Sequence, residues 1–197
     1  MSNILVVKSS LNGEQSQSNQ LTQRLVEQLA ATDNVKLVAR DLAQDSLAHL
    51  TQAEMATWMI APNERNAEQT KLANISDNLI EEVKASDTFI IAMPMYNFGI
   101  PSTVKAWVDR VARAGVTFNY TENGPVGLLN EKKVIVVAAR GGMYAGTEKD
   151  SQTQYLTDLF NLVGIEDIRF IYAEGLNMPG SEERILAAQK QIDNLAI

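Results

Sequence analysis

Five short apolar runs alternate with stretches of helical periodicity, and this alternation sets the main limit on what the chain can fold into. The runs are residues 4–7, 35–38, 88–93, 133–138 and 168–172, and they are rich in β-branched residues. Such runs read as strands of a parallel sheet; one that is apolar throughout reads as buried on both faces. Between and after them, apolar residues recur at helical spacing: Leu21, Leu25, Val26 and Leu29; Ile75, Leu79, Ile80 and Val83; Val104, Trp107, Val108 and Val111; Tyr155, Leu159 and Leu162; Ile185, Ile192 and Leu195. Strand followed by helix, five times over, predicts a doubly wound α/β fold with helices on both faces of a five-stranded parallel sheet. The expected strand order is 2-1-3-4-5, and the 197 residues suit one domain over 1–197.

In that order the sheet changes direction between its first and third strands, and ligands bind beyond the carboxyl ends of strands at such a point. The loops there are residues 9–19 and 94–101, so they are expected to face each other. The first is rich in Ser, Asn and Gln and leads into a helix, with Ser18 expected as the N-cap. Its hydroxyls Ser10, Ser16 and Ser18, beside a helix N-terminus, suit a single terminal phosphate. Gly13 is its only glycine, so neither GxxxxGK[ST] nor GxGxxG is present. A polar surface loop with a capping serine is the plainer alternative.

The second loop lies in AMPMYNFGIP, residues 92–101. Pro94 and Pro101 fix its ends, and Pro101 is expected at the first position of the next helix. Met95, Tyr96 and Phe98 offer apolar faces, Asn97 can both donate and accept, and Gly99 permits close backbone approach. A flat heteroaromatic ring such as an isoalloxazine needs that combination. A third loop, Ala139-Arg140-Gly141-Gly142-Met143-Tyr144, can turn backbone amides toward such a ring, where they would favour its anionic reduced form. It also reads as a tight turn after the fourth strand.

Composition narrows the chemistry. The chain has no cysteine and one histidine, His49, which excludes thiolate chemistry, cysteine metal sites and two-histidine metal sites, so no metal site is expected. No protein side chain is expected to be catalytic, and an enzyme with this inventory places its chemistry on a cofactor. A net charge of -7 argues against nucleic acid or an anionic membrane as partner. No apolar run approaches the length of a membrane span and the N-terminus is unlike a signal peptide, so the cytoplasm is the expected location. His49 and the pair Glu81-Glu82 read as solvated surface. Two long excursions, residues 43–64 and 114–129, remain. The first carries an apolar patch, Trp58-Met59-Ile60, suited to a dimer contact, a pocket wall or the core; in the second, Val116, Phe118 and Tyr120 alternate as in a small strand or hairpin.

Taken together, KSS and SQSNQL, MPMYNFGIP, KAWVDRVARAGVTFNYTENGPVGL and ARGG resemble the FMN-dependent NADH-azoreductases, within the flavodoxin-like NAD(P)H:quinone oxidoreductases. The match runs over nearly the whole chain and is weakest across residues 43–74. The resemblance implies a homodimer in which NADH reduces FMN and leaves, after which a quinone or azo compound takes two electrons. It implies phosphate contacts at Ser10, Ser16, Gln17 and Ser18. Ring contacts would fall at Pro94, Met95, Tyr96, Asn97, Phe98 and Gly99, and at Ala139, Arg140, Gly141 and Gly142, with Phe118, Tyr120 and Tyr144 on the substrate side. Ala139 stands where relatives often have serine, and Tyr144 where some have histidine.

Overall fold

In the computed structural model, residues 2–32 and 34–195 are described; residues 1, 33, 196 and 197, which the expected 1–197 unit includes, lie outside them. The strands are β1 (Ser2–Lys8), β2 (Val35–Asp41), β3 (Thr88–Pro94), β4 (Phe118–Thr121), β5 (Gly124–Gly127), β6 (Lys133–Ala139) and β7 (Asp167–Ala173). The helices are α1 (Gln17–Thr32), α2 (Gln52–Thr57), α3 (Ala67–Lys84), α4 (Ser102–Val111), α5 (Ser151–Leu162) and α6 (Ser181–Asp193). The main sheet is parallel with order β2-β1-β3-β6-β7, the topology expected from the alternation. All seven residues of β3 are buried, because this strand has neighbours on both edges and helices on both faces.

Successive residues of a strand point to opposite faces, so each central strand feeds two cores. Leu5, Val7, Phe89, Ile91, Val134 and Val136 meet α3, α4 and α5 through Leu79, Val83, Trp107, Val108, Leu156 and Phe160. Ile4, Val6, Ile90, Ile135, Val137 and Ile171 meet α1 and α6 through Leu21, Leu25, Leu29, Ala188 and Ile192. Burying one such side chain contributes about 1.5–3 kcal/mol. The stripe of α5 differs from the expected one: Gln152, Leu156 and Phe160 are buried, while Tyr155 and Leu159 pack at its margin.

Two starts of helices also differ. Ser16, not Ser18, caps α1: its Oγ accepts from Asn19 N–H at 3.4 Å and its carbonyl from Gln20 N–H at 3.0 Å. Pro101 is the N-cap of α4, with an extended backbone at φ -55° and ψ 141°, one residue before the helix. It still fixes the entry, since its carbonyl accepts from Val104 N–H at 2.9 Å.

The two excursions are held differently. The hairpin β4–β5 packs backbone on backbone: a Cβ on Gly127 would fall 2.0 Å from Gly164 N. Residues 43–64 are held by charge. Glu54 of α2 takes Arg110 of α4 in a bidentate pair, with both N···O distances at 2.7 Å and both side chains buried. Arg110 also donates to the carbonyls of Ala48 and Ala106 at 2.9 Å. Trp58 lies beneath the Arg113 guanidinium, 5.2 Å from ring centroid to Cζ, so this part of the apolar patch supports the chain just past the end of α4.

Candidate functional site

Loops after β1, β3 and β6 meet beyond the carboxyl ends of their strands. Ser9 Oγ donates to the carbonyl of Ala92 at 3.0 Å and starts the first loop against β3. Ser10, Ser16 and Ser18 are all buried, and the hydroxyls of Ser16 and Ser18 lie 2.9 Å apart. Buried hydroxyls cluster here at the start of a 16-residue helix whose first N–H groups have no acceptor within the helix. That end of a helix carries a partial positive charge and suits an anion.

The second loop is tied to the first through one phenol. Tyr96 OH accepts from Leu11 N–H at 3.0 Å and lies 3.4 Å from Ser10 Oγ. Tyr96 and Gly99 also exchange backbone bonds of 3.1 and 2.9 Å across a tight reversal. Its two central residues, Asn97 and Phe98, are left-handed, at φ 50° and 67°. Asparagine tolerates that region; for a bulky residue such as phenylalanine it is an outlier, and residues held so cost about 1–3 kcal/mol each and cluster at functional sites. Gly99 is not left-handed, and a Cβ there would meet Tyr96 O at an ordinary 3.7 Å. Phe98 is exposed and stands edge-on to Tyr144, with ring centroids 5.4 Å apart.

The third loop divides in two. Gly141 and Gly142 are tight: a Cβ on Gly141 would lie 2.5 Å from Asn177 Nδ2, and one on Gly142 would lie 2.5 Å from the Tyr144 hydroxyl. Arg140 turns the other way and is fully buried. Its guanidinium meets Asp150 at 2.9 Å and Glu174 at 3.0 Å, donates to Gln152 Oε1 and Thr153 Oγ1, and lies over the Tyr172 ring. Its N–H donates to Ala173 O and its carbonyl accepts from Leu176 N–H, so its main chain is committed inside the fold as well. Burial pushes the Asp150 carboxyl up, but bonds from Arg140 and Thr153 outweigh this and hold it below its ordinary value.

Met95, Asn97, Phe98, Gly141, Gly142, Tyr144 and Asn177 line one open basin. Ser16, Gln17 and Ser18 lie at the start of α1, and Ser10, just past β1 in the same loop, is joined to the second loop through Tyr96. Pro94 and Ala139 are paired in register at the strand ends beneath it, and Met95 N–H donates to Ala139 O at 3.2 Å. Phe118 and Tyr120 are not among the residues lining the basin. Phe118 is buried in the hairpin, edge-on to Tyr120, and Tyr120 is 76% exposed. His49 is exposed, as expected. Among the described residues, no group of acidic, histidine or cysteine side chains is placed to hold a metal ion, and no helix is long and apolar enough to cross a membrane.

Three contributors escaped sequence reasoning. Asn177 completes the basin, and Glu174 accepts from Tyr144 N–H and Ala145 N–H, both at 2.9 Å. Gln152 Nε2 donates to the carbonyls of Pro94 and Gly99. The first two follow β7, in a stretch with Gly175, Pro179 and Gly180. A fifth loop at the same end of the sheet, with the same turn chemistry, was the available signal.

Comparison with known proteins agrees with this geometry. A family profile described as flavodoxin-like fold matches residues 2–196. The FMN-dependent NADH:quinone oxidoreductase of Alteromonas mediterranea is 51% identical over 183 residues, covering 93% of this chain and 91% of its own. The protein of the same name from Cellvibrio japonicus is 45% identical over 194 residues, covering 98% of each chain. The crystal structure of an FMN-dependent NADH-azoreductase from Bacillus anthracis, in complex with FMN, superposes with a TM-score of 0.89 at 26% identity, covering 98% of this chain and 96% of that one. The chain therefore belongs to the flavodoxin-like family, in the branch formed with the FMN-dependent NADH:quinone oxidoreductases.

Proposed function

We propose that this chain is an FMN-dependent NADH:quinone oxidoreductase and azoreductase, acting in the cytoplasm as a homodimer of one 1–197 unit, with small quinones and azo compounds as its acceptors. Bound FMN supplies the redox chemistry, carrying two electrons from NADH to an acceptor that enters after NADH has left. The residues present fit that group. Ser10, Ser16, Gln17 and Ser18 offer hydroxyl and amide donors to its phosphate at the start of α1. Met95, Asn97 and Phe98, with Tyr96 between them in the chain, would bed its ring together with Gly141 and Gly142, where an added Cβ would strike Asn177 or Tyr144. Tyr144, edge-on to Phe98, stands at the mouth where an acceptor would lie.

One observation carries the reading. Tyr96 belongs to the strained turn and also holds Leu11 and Ser10 of the serine loop. An anion site and a flat-ring site are thus joined as one rigid unit, which suits a ligand with a phosphate at one end and a flat ring at the other. Rigid placement is the protein's share of such catalysis, because the donor and acceptor need only orientation against the ring. A charged phosphate also gains most from preorganised donors.

The test is FMN binding followed by fluorescence quenching. The wild-type chain is expected to bind FMN and to oxidise NADH when a small quinone is added with no partner protein. Replacing Ser16→Ala and Asn97→Ala together is expected to weaken binding by about a hundredfold, the equivalent of two lost charge-assisted or ring-edge bonds. Unchanged affinity in the double variant means that the site is wrong.

A further inference from the structure

We infer that Gln152 is a positioning residue that sets the strained turn at Tyr96–Gly99 against the third loop, and through it the affinity of the site for FMN. The inference rests on the FMN reading above. Gln152 is 1% exposed, on the first turn of α5, one layer behind the basin. Its Nε2 donates to Pro94 O at 2.9 Å and Gly99 O at 3.3 Å, the residues that enter and leave the turn. Its Oε1 accepts from Arg140 Nε at 3.2 Å. One amide group therefore spans both loops that face the basin. Its neighbour Ser151 adds a third grip, its hydroxyl donating to Phe98 O at 2.5 Å.

The reason for such a device is the turn itself. Asn97 and Phe98 hold left-handed backbones that a chain left to itself seldom adopts, so the surroundings must over-determine them. The turn's own bonds, Tyr96 to Gly99 and back, do not fix where it sits on the sheet. Gln152 does so from the α5 side, as the Tyr96 phenol does from the serine loop, because a carboxamide can donate to two carbonyls while accepting from a guanidinium. A hydrophobic residue of the same size would take one bond from each carbonyl and the acceptor from Arg140 Nε, leaving Gly99 O with Tyr96 N–H alone. A glutamate would keep Arg140 satisfied and turn an acceptor toward the two carbonyls.

The experiment uses Gln152→Glu and Ser151→Ala in the full chain and reads two quantities. The first is hydrogen exchange at the Tyr96 and Gly99 amides without FMN, compared with core amides of β3 such as Ile90. Gln152→Glu is expected to lower protection at Tyr96 and Gly99 by about tenfold while Ile90 is unchanged. The second is FMN affinity, expected to fall about tenfold, with a shifted visible spectrum of the bound flavin. Ser151→Ala, at an exposed position, is expected to act in the same direction but less, and keeps the test open if Gln152→Glu does not fold. Unchanged protection at Tyr96 and Gly99, or protection lost equally at Ile90, overturns the inference. So does FMN affinity equal to wild type. A wild-type chain that binds no FMN refutes the parent reading instead.

Discussion

Among the described residues, Arg110 and Arg140 are the two bulkiest fully buried side chains, and they do different work. Arg110 is closed on one carboxylate, Glu54, and on two carbonyls of its own neighbourhood. Its bonds end there, and their effect is to fasten the 43–64 excursion to α4. Arg140 meets two carboxylates, Asp150 and Glu174, plus Gln152 and Thr153. Those partners go on to hold loop backbone: Glu174 takes Tyr144 and Ala145, and Gln152 takes Pro94 and Gly99. A buried ion pair is weak evidence of added stability, because desolvation offsets much of the attraction. What the pair reaches decides its role. The Arg110 pair shapes the fold, whereas the Arg140 network carries rigidity into the site.

The sharpest way to break this comparison is to orphan each guanidinium in turn. Glu54→Ala leaves Arg110 buried without a counter-charge and is expected to lower the unfolding free energy by about 3–5 kcal/mol, measured by urea titration. The folded fraction should still bind FMN like wild type, since nothing from Glu54 reaches the basin. Equal loss of FMN affinity would erase the distinction.

Glu174→Gln should cost less in stability, about 1–3 kcal/mol, because Arg140 keeps Asp150 and the amide oxygen can still accept from a loop N–H. Its effect on FMN affinity should exceed that of Glu54→Ala despite the smaller loss of stability. Stability and affinity moving together across both variants would show that the two arginines are equivalent.

The smallest expected effect is a pH dependence. The Asp150 carboxyl sits below its ordinary value of 3.8, where burial is outweighed by Arg140 and Thr153. A depressed folded-state value means that the unfolded chain takes up the proton first as the pH falls. The carboxylate's contribution is therefore complete above its ordinary value and is lost as the pH falls through the lower, folded-state one. Asp150→Asn should flatten the acid limb of a stability-versus-pH curve and leave the neutral range parallel to wild type. An unchanged acid limb would remove Asp150 from the network.

The fold was legible because its signals are local and repeated. Runs such as Ile4–Val7 and Phe89–Met93 are apolar on both faces, and only a sheet covered on both sides uses that pattern. The serine loop and AMPMYNFGIP were legible from composition alone, and the sheet order brought them together at Tyr96. The left-handed pair Asn97–Phe98 was not legible. Phenylalanine is no turn former, so nothing in the residue type marks Phe98 as left-handed. Arg140 was read as part of a ring-facing loop; only the packing reveals Asp150, Gln152 and Glu174 drawing its side chain inward. Those partners lie far apart in sequence or on another element, and no local period links them. Phe118 and Tyr120 were read as a small strand or hairpin and lie in a hairpin, but their facing depends on how Gly127 docks on Gly164, a contact between distant turns.

The most direct test of the central claim, that three loops form one site for a redox-active flavin, is an anaerobic NADH titration of the FMN-loaded chain followed by visible absorbance. The account predicts that about one equivalent of NADH bleaches the flavin and that a small quinone restores its colour, with no other protein present. Tightly bound FMN that NADH cannot bleach would contradict it, and would make the chain a carrier reduced by a separate partner.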